Sequence, residues 1–241
     1  MREGTAIAAR ARAFVGVFAA TLASACATTQ PASFSYDALR ARADSGDLGA
    51  QYELGVRHDA GIEVEQDPAE ALRWYRAAAE RGHAPAQNSL GSLYQEGAAG
   101  LAQDVAAARA WYERASAQGY GEATQNLGQL YDLGLGVEED NARAARLYER
   151  AAEQGSSRAM LNLGLLLARE QPGVEVDLIE AYKWLELARF NSRGSRDAKL
   201  RTSCRGALEE LGPRLTEAQI ATAKDRAQSW IAEQLHGDPT P

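Results

Sequence analysis

The chain has 241 residues, of which 45% are hydrophobic and 24% charged, and it carries a formal net charge of −7. This composition is typical of a globular protein and excludes an extensively disordered one. The acidic balance argues against binding to nucleic acid and against electrostatic adhesion to anionic lipid.

Residues 1–25 have the composition of an export signal. Arginines precede an uncharged apolar run over residues 13–23, which is followed by Ser24, Ala25 and Cys26. An apolar run of this length rises only about 16 Å as a helix, against about 30 Å of hydrocarbon in a bilayer, so we do not expect it to span a membrane. Removal of residues 1–25 would take away three arginines and one glutamate, which lowers the formal charge from −7 to −9.

The end of this signal supports two interpretations. The sequence Leu22-Ala23-Ser24-Ala25-Cys26 resembles the lipobox of bacterial lipoproteins, in which the cysteine is lipidated and becomes the first mature residue. Ala23 stands where that motif usually has Leu, Val or Ile, and small residues here also suit ordinary signal-peptidase cleavage. We expect lipid attachment at Cys26, with residues 26–35 as a short tether from the outer membrane. A soluble periplasmic or secreted protein is the alternative.

Residues 47–192 contain four copies of one pattern. A leucine–glycine pair and an aspartate each recur at intervals of 36 or 37 residues. The pairs are Leu54-Gly55, Leu90-Gly91, Leu127-Gly128 and Leu163-Gly164, and the aspartates are Asp67, Asp104, Asp140 and Asp177. Self-similarity at this period predicts a solenoid, in which each unit buries its apolar face against its neighbours.

Each unit is predicted to fold as two helices. The first carries an apolar stripe at helical spacing, such as Ala123, Leu127 and Tyr131. A glycine inside a helix costs about 1 kcal/mol relative to alanine, so its recurrence predicts a close approach of the next helix backbone. The recurring aspartate is interpreted as the N-cap of the second helix and not as a metal ligand. Glutamates three residues after Asp67 and Asp177 predict capping boxes.

The second helix of each unit carries aromatic residues at fixed distances from the aspartate. Seven residues after it come Trp74, Trp111, Leu147 and Trp184, and eight after it come Tyr75, Tyr112, Tyr148 and Leu185. Alanines stand four and eleven residues after the aspartate, so these positions trace one helical face. We interpret this face as core between the units, in preference to a platform for stacking sugars or bases.

The flanking segments are predicted to close the two ends of the stack. Residues 36–46 match the end of a second helix and are expected to form a half-repeat. Residues 193–236 predict two capping helices, the first with Cys204 as a buried, inert thiol and the second begun by a capping box on Thr216 and Gln219. Because Cys204 is the only cysteine besides Cys26, a disulfide framework is excluded. Residues 237–241 form a short tail.

The repeated unit resembles that of the Sel1-like repeat family, a branch of the tetratricopeptide-like solenoids. The pattern of that family is A-x3-L-G-x2-Y-x2-G, then G-V-x2-D, then A-x2-W-Y-x2-A-A-x2-G. The third unit matches it closely, whereas the first has His58 for tyrosine and the fourth has Leu167, Glu170 and Ser192 at pattern positions. The resemblance implies an all-α, right-handed α-solenoid of antiparallel helix hairpins, an alpha-alpha superhelix, with capping helices at both ends. It also implies a role in protein interaction, within envelope assembly, secretion or signalling.

No sequence motif indicates catalysis. The three histidines are scattered without a second ligand at metal spacing, and no nucleophile elbow, phosphate loop or zinc-protease motif occurs. Asp59 and Asp132 lie two units apart, which is too far for them to act together as a catalytic acid–base pair. We therefore expect no enzyme, no metal, no cofactor and no small-molecule substrate.

The functional surface is predicted to be a groove formed by the faces of the first helices that point away from the apolar stripe. Candidate positions lie two residues before, two after and five after each leucine: Tyr52, Val56, Asp59, Asn88, Ser92, Gln95, Gln125, Gln129, Asp132, Leu161, Leu165 and Ala168. The groove is polar along the first three units and apolar in the fourth. That apolar end is either a partner-peptide site or a surface that the capping helices cover.

These observations favour a non-catalytic scaffold or adaptor of the bacterial cell envelope, which holds another protein or peptide on its concave face. Membrane contact is expected through the N-terminal lipid only. One alternative is a periplasmic regulator that binds the sensor domain of a signalling receptor. A more remote alternative is a cell-wall enzyme or a glycan-binding protein.

Overall fold

The computed structural model describes residues 35–194 and 197–236. The expected signal segment, the lipid site at Cys26, the tether up to residue 34 and the tail 237–241 lie outside the described residues.

The described ranges contain eleven α-helices and no β-strand, which confirms the all-α prediction. The helices are α1 Tyr36–Asp44, α2 Leu48–Ala60, α3 Pro68–Glu80, α4 Ala84–Glu96, α5 Val105–Ala117, α6 Gly121–Asp132, α7 Asn141–Glu153, α8 Ser157–Leu167, α9 Leu178–Asn191, α10 Ala198–Leu211 and α11 Glu217–His236. Short 3-10 turns cover Ser192–Gly194 and Gly212–Arg214. None of these helices is both long and apolar enough to cross a membrane.

Consecutive helices pack as four pairs, α2 with α3, α4 with α5, α6 with α7 and α8 with α9. The second helix of each pair also contacts the first helix of the next pair, and α1 packs on α2. Each unit therefore buries its apolar face between its neighbours, as expected for an α-solenoid.

The recurring aspartates are N-caps, as predicted. The Asp104 carboxylate accepts a hydrogen bond from the backbone N–H of Ala107 at 2.9 Å, and that of Asp140 accepts one from Arg143 at 2.8 Å. Each aspartate also uses its own backbone N–H, which donates to the carbonyl four residues after the leucine of the preceding helix. The acceptors are His58, Tyr94, Tyr131 and Leu167, at 2.8 to 3.1 Å. The aspartate thus joins the end of one helix to the start of the next.

The capping boxes predicted at Asp67 and Asp177 form only in part: each aspartate carboxylate accepts from the backbone N–H of the glutamate three residues later, at 3.0 and 2.9 Å, but the reciprocal bond is missing. A reciprocal box needs the aspartate N–H as a donor to the glutamate, but this N–H is already bound to the preceding helix. Glu70 instead accepts from Arg73 and from the Trp74 indole N–H. A reciprocal box does form at the start of α11, where Thr216 and Gln219 exchange hydrogen bonds of 2.9 and 3.3 Å.

The helical glycines make room for a side chain and not, in the main, for a helix backbone. A Cβ atom added at Gly128 would lie 2.8 Å from the ring of Tyr148, and one at Gly91 would lie 2.6 Å from the ring of Tyr112. In the fourth unit the near atom is Leu185 Cγ, at 2.7 Å. The prediction of a close backbone approach is therefore corrected. The tyrosine or leucine that lies eight residues after the aspartate fills the space above the glycine.

The aromatic series forms core, as predicted. Trp74, Trp184 and the tyrosines at the next position are buried, whereas Trp111 and Leu147 are half-buried at the edge of the apolar clusters. Two small clusters pack α1 to α4, and one large cluster runs from Ala108 on α5 to Ala227 on α11. The C-terminal two-thirds of the solenoid therefore share one continuous interior.

The two C-terminal helices both pack against α9. Cys204 on α10 is fully buried, and this burial raises the pKa of its thiol, as expected for an inert cysteine. On α11, the Trp230 ring meets the edge of Trp184 with 5.8 Å between ring centroids. Helix α9, which ends the repeats, is thereby covered.

Candidate partner-binding groove

A cavity of about 690 Å³ lies across the first helices of neighbouring units. It is lined by α4, α6, the start of α8 and the start of α10, with Tyr112 from α5 at its side. Five of the predicted groove residues line it: Asn88, Ser92, Gln95, Gln125 and Gln129. A smaller cavity of about 240 Å³ adjoins it and shares Gln125, Gln129 and Arg158 with it. We call the two cavities together the polar groove.

Three predicted residues five positions after the leucine also have a structural role. The hydroxyl of Tyr112 donates to Gln95 Oε1 at 2.8 Å, and that of Tyr148 donates to Asp132 Oδ2 at 3.1 Å. Asp59 accepts the equivalent bond at 3.4 Å from the tyrosine that covers Gly55. Asp132 is in addition paired with Arg169. These side chains therefore hold the tyrosine of the following helix, and neither carboxylate lines the polar groove.

Five amide side chains line the larger cavity: Asn88, Gln95, Gln125, Asn126 and Gln129. Asn126 Nδ2 donates to Asn88 Oδ1 at 2.9 Å, which links α4 to α6. Gln125 is 7% exposed and makes no hydrogen bond to any described residue through its amide, although it lines both cavities. Such side chains carry both donors and acceptors, so the groove can pair with the peptide groups of a bound chain.

Sequence reasoning missed several groove residues. Asn126 lies one residue before Leu127, about 100° around the helix, so it fell outside the face chosen as opposite the apolar stripe. Arg158 and Asp197 belong to the groove because α10 folds back onto α8, a contact that no repeat pattern indicates. A search of helix starts within each unit would have found Arg158, since it occupies the position that Glu122 holds in the preceding unit.

Tyr52, Val56 and Asp59 of the first unit do not line the polar groove. Tyr52 is half-buried, and its ring lies 5.1 Å from the ring of His83 and 5.7 Å from that of Tyr75. The first unit therefore contributes an aromatic contact to the inter-unit packing. The hydrogen-bonding part of the groove begins with α4.

The apolar end of the predicted surface is divided. Leu161 is 8% exposed and lines the smaller cavity together with Leu200 of α10. Leu165 is 42% exposed and, like Ala168, lies outside both cavities. The capping helices thus cover one of the two leucines, and the predicted apolar end is not one continuous surface.

Charged side chains line the polar groove on α4, on α6 and at the starts of α8 and α10. Arg158 Nη2 lies 2.6 Å from Asp197 Oδ2. The backbone N–H of Leu200 and the Arg158 side chain lower the pKa of the Asp197 carboxyl. Glu96 and Glu122 also line the larger cavity, and Glu122 accepts a hydrogen bond from the Tyr120 hydroxyl.

The side chains that line the polar groove mainly provide hydrogen-bond donors and acceptors. Within residues 35–194 and 197–236, no group of three or more His, Cys, Asp or Glu side chains could hold a metal ion. The described cysteine, Cys204, is buried in α10 and lines neither cavity. The groove offers neutral amides, two glutamates, Glu96 and Glu122, and the ion pair of Arg158 with Asp197.

The Sel1 repeat family model matches four consecutive segments, residues 49–83, 84–120, 121–156 and 157–189, which together make up more than half of the chain. The chain belongs to the Sel1 repeat family. Sel1 repeat solenoids are protein-interaction folds that are generally non-catalytic, so the family supports a protein-binding scaffold.

Solved structures of Sel1 repeat proteins resemble this chain. A Sel1 repeat protein from Oxalobacter formigenes is 43% identical, over 52% of this chain and 93% of that one, with a TM-score of 0.47. The protective antigen c5321 of uropathogenic Escherichia coli, which displays an SLR fold, is 26% identical over 85% of this chain, with a TM-score of 0.50. The alignment spans 52% of c5321, about half of its length. Among curated proteins, none matches this chain.

Proposed function

We propose that this Sel1 repeat protein is a non-catalytic scaffold of the bacterial cell envelope, which holds an extended segment of another protein in the polar groove. The observation that carries the proposal is the row of amides, Asn88, Gln125, Asn126 and Gln129, along a concave cavity. The peptide groups of a helix are paired within the helix, whereas those of an extended segment need partners. Side-chain amides supply those partners.

The envelope location rests on the first 26 residues. A basic start, a short apolar run and a cysteine preceded by small residues support export and lipid attachment at Cys26. Several acyl chains on one cysteine anchor a protein stably, whereas a single chain binds only marginally. Cys26→Ser should therefore move the protein from the membrane fraction to the soluble fraction. Retention of the variant in the membrane, or absence of palmitate labelling of the wild type, would contradict the anchor.

The groove is tested by affinity capture from solubilised envelope. The variant carries alanine at Asn88, Gln125 and Gln129. The matched control carries alanine at Arg146 and Glu149, which are exposed on α7 outside both cavities and whose replacement leaves the net charge unchanged. We expect partners recovered with the wild type and the control to be lost with the groove variant. Equal recovery with all three proteins would exclude the polar groove as the binding surface.

The same experiment separates a scaffold from a regulator of a signalling receptor. A scaffold stays in a stable complex whatever the growth condition, whereas a regulator releases its partner when the signal arrives. Capture before and after an envelope stress therefore distinguishes the two classes. Release confined to the stressed cells would favour the regulator.

A further inference from the structure

The starts of α8 and α10 both line the polar groove, and we call this part of it the closed end. Asp197 and Leu200, at the start of this helix, line the larger cavity, and Leu200 and Ser203 line the smaller one. A segment that runs across α4 and α6 toward the fourth unit therefore meets α10. This end of the groove suits the terminus of a chain better than its middle.

The N-terminus of α8 lies at this closed end. Gly155, Ser156, Ser157 and Arg158 line the larger cavity. The Ser156 hydroxyl accepts from the backbone N–H of Ala159 at 3.2 Å, and the Ser156 carbonyl accepts from Met160 at 3.1 Å. The N–H groups of Ser157 and Arg158 precede these bonds and are left for another acceptor. The start of a helix favours a negatively charged group.

The charges of the side chains at this end leave it favourable to an anion. The Asp197 carboxylate is already matched, because it accepts from the Leu200 N–H at 2.9 Å and from Arg158 at 2.6 Å. The Arg158 side chain is 66% exposed, and a guanidinium has five N–H donors, so it can bind a second acceptor while paired with Asp197. The smaller cavity is thus lined by two basic side chains, Arg158 and Lys199, and one acidic side chain, Asp197, whereas Glu96 and Glu122 line only the larger cavity.

Gln125 gives an independent indication of a ligand. Its side chain is more than nine-tenths buried, lines both cavities and makes no hydrogen bond through its amide within the described part of the chain. Its amide N and O are not among the fully buried unpaired atoms, so they are accessible from the groove and free to pair with a group that enters it. A group that enters the closed end of the groove would be their hydrogen-bond partner.

Glu122 places a second constraint on the occupant. It lies on α6, at the position that Arg158 holds on α8, and its carboxylate also lines the larger cavity. Packed helices lie about 10 Å apart, which an extended chain covers in about three residues. A basic side chain about three residues before the bound terminus would reach Glu122.

We infer that the closed end of the polar groove binds the free C-terminal carboxylate of an extended segment of a partner protein, with Arg158, the first N–H groups of α8 and the Gln125 amide as donors. This inference rests on the proposed function. It adds a direction for the bound segment, with its C-terminus at α10, and a basic residue near Glu122.

The test uses the purified full chain and beads that carry short random-sequence peptides, prepared either with a free C-terminal carboxylate or with a C-terminal amide. Selected peptides are resynthesised in both forms, and binding is measured by fluorescence polarisation. We expect the free acids to bind about tenfold or more tightly than the amides, since a charge-assisted contact is lost on amidation. Arg158→Gln should abolish this difference, and Arg158→Lys should restore part of it.

Two controls separate binding from folding. Arg146→Gln removes an exposed arginine of α7 and should leave the affinity for the free acid unchanged. Gln125→Leu should weaken binding while leaving the thermal midpoint unchanged or higher, because it removes no hydrogen bond within the described part of the chain. A Gln125→Leu protein that binds as tightly as the wild type would overturn the inference.

The remaining outcomes distinguish the inference from the proposed function. If selected peptides bind in the groove equally well as acids and amides, the carboxylate site is wrong and the groove remains a peptide-binding surface. If neither form of any peptide binds, both the inference and an extended occupant are contradicted.

Discussion

The glycine that follows each recurring leucine shows how a single residue fixes the packing of a unit. At Gly128 an added Cβ would lie 2.8 Å from the Tyr148 ring, closer than side-chain carbons approach one another. The ring is held in place because its hydroxyl bonds to Asp132 on the same helix as the glycine. The Tyr148 side chain therefore packs on Gly128 and is held there by Asp132.

Gly128→Ala should lower the free energy of unfolding by about 1–3 kcal/mol, since the Tyr148 ring must shift. Gly206→Ala is the matched control, because Gly206 is exposed within α10 and an added Cβ meets nothing within 4 Å. There alanine should raise the free energy of unfolding by about 0.5–1 kcal/mol. Urea denaturation measures both changes, and a loss at Gly206 equal to that at Gly128 would contradict the packing explanation.

The buried tyrosines make the free energy of unfolding sensitive to pH in the alkaline range. Burial, and next the Asp132 carboxylate, raise the pKa of the Tyr148 phenol above its usual value of about 10. The same causes, burial first, raise the pKa of Tyr75 beside Asp59. A raised pKa in the folded state means that the stabilisation is complete below about pH 10 and is lost as pH rises above it.

The free energy of unfolding of the wild type should therefore fall as pH rises above about 10, by up to about 1.4 kcal/mol per pH unit for each such phenol. Tyr148→Phe should be less stable than the wild type at neutral pH, because the bond to Asp132 is lost, but should show a shallower alkaline decline. Urea titrations at a series of pH values measure both slopes. If the free energies of unfolding of the wild type and of Tyr148→Phe fell equally with pH, ionisation of Tyr148 would not contribute to the alkaline loss of stability.

At the scale of the helix, the recurring aspartate determines where each second helix begins. Its carboxylate binds the first free N–H groups of that helix, and its own N–H binds the last turn of the helix before. The carboxylate bond could be predicted from the sequence, because an N-cap needs only local geometry. The backbone bond could not, since it depends on how the loop places two helix ends next to each other.

Asp104→Ala should lower the free energy of unfolding by about 1 kcal/mol, since it removes the bond to the Ala107 N–H and leaves the backbone bond to Tyr94 in place. Asp104→Asn keeps a side-chain acceptor and is expected to lose only a few tenths of a kcal/mol. Chemical denaturation of the two variants side by side provides the measurement. An equal loss in both would show that charge, and not capping, is what the aspartate contributes.

The capping helices show where sequence-based prediction stops. The repeats specify their own neighbours, so the fold of α2 to α9 follows from periodicity. Helices α10 and α11 carry no repeat pattern, and their contacts with α8 and α9 depend on shape. For that reason the amides of α4 and α6 could be assigned to a groove in advance, whereas its closure by Asp197 and Leu200 could not.

At the scale of the whole molecule, the residues of the interior repeat from unit to unit, whereas those of the polar groove do not. The interior is apolar and repeats in every unit, from Leu54 to Leu163, with tyrosines or a leucine above the glycines. The polar groove instead changes from unit to unit: an aromatic contact in the first, amides in the second and third, and an ion pair with α10 at the end. The polar groove therefore differs from unit to unit, as the proposed binding of one segment in one direction requires.

The most direct test of this account places a photo-crosslinking amino acid at Gln129, in the polar groove, and in a second strain at Arg146 on the outer face, and irradiates living cells. We predict a discrete adduct with one envelope protein from position 129, lost when Gln125 and Asn88 are also replaced by alanine, and no such adduct from position 146. The same adduct from both positions, or adducts from position 146 alone, would contradict the assignment of the groove as the partner-binding surface.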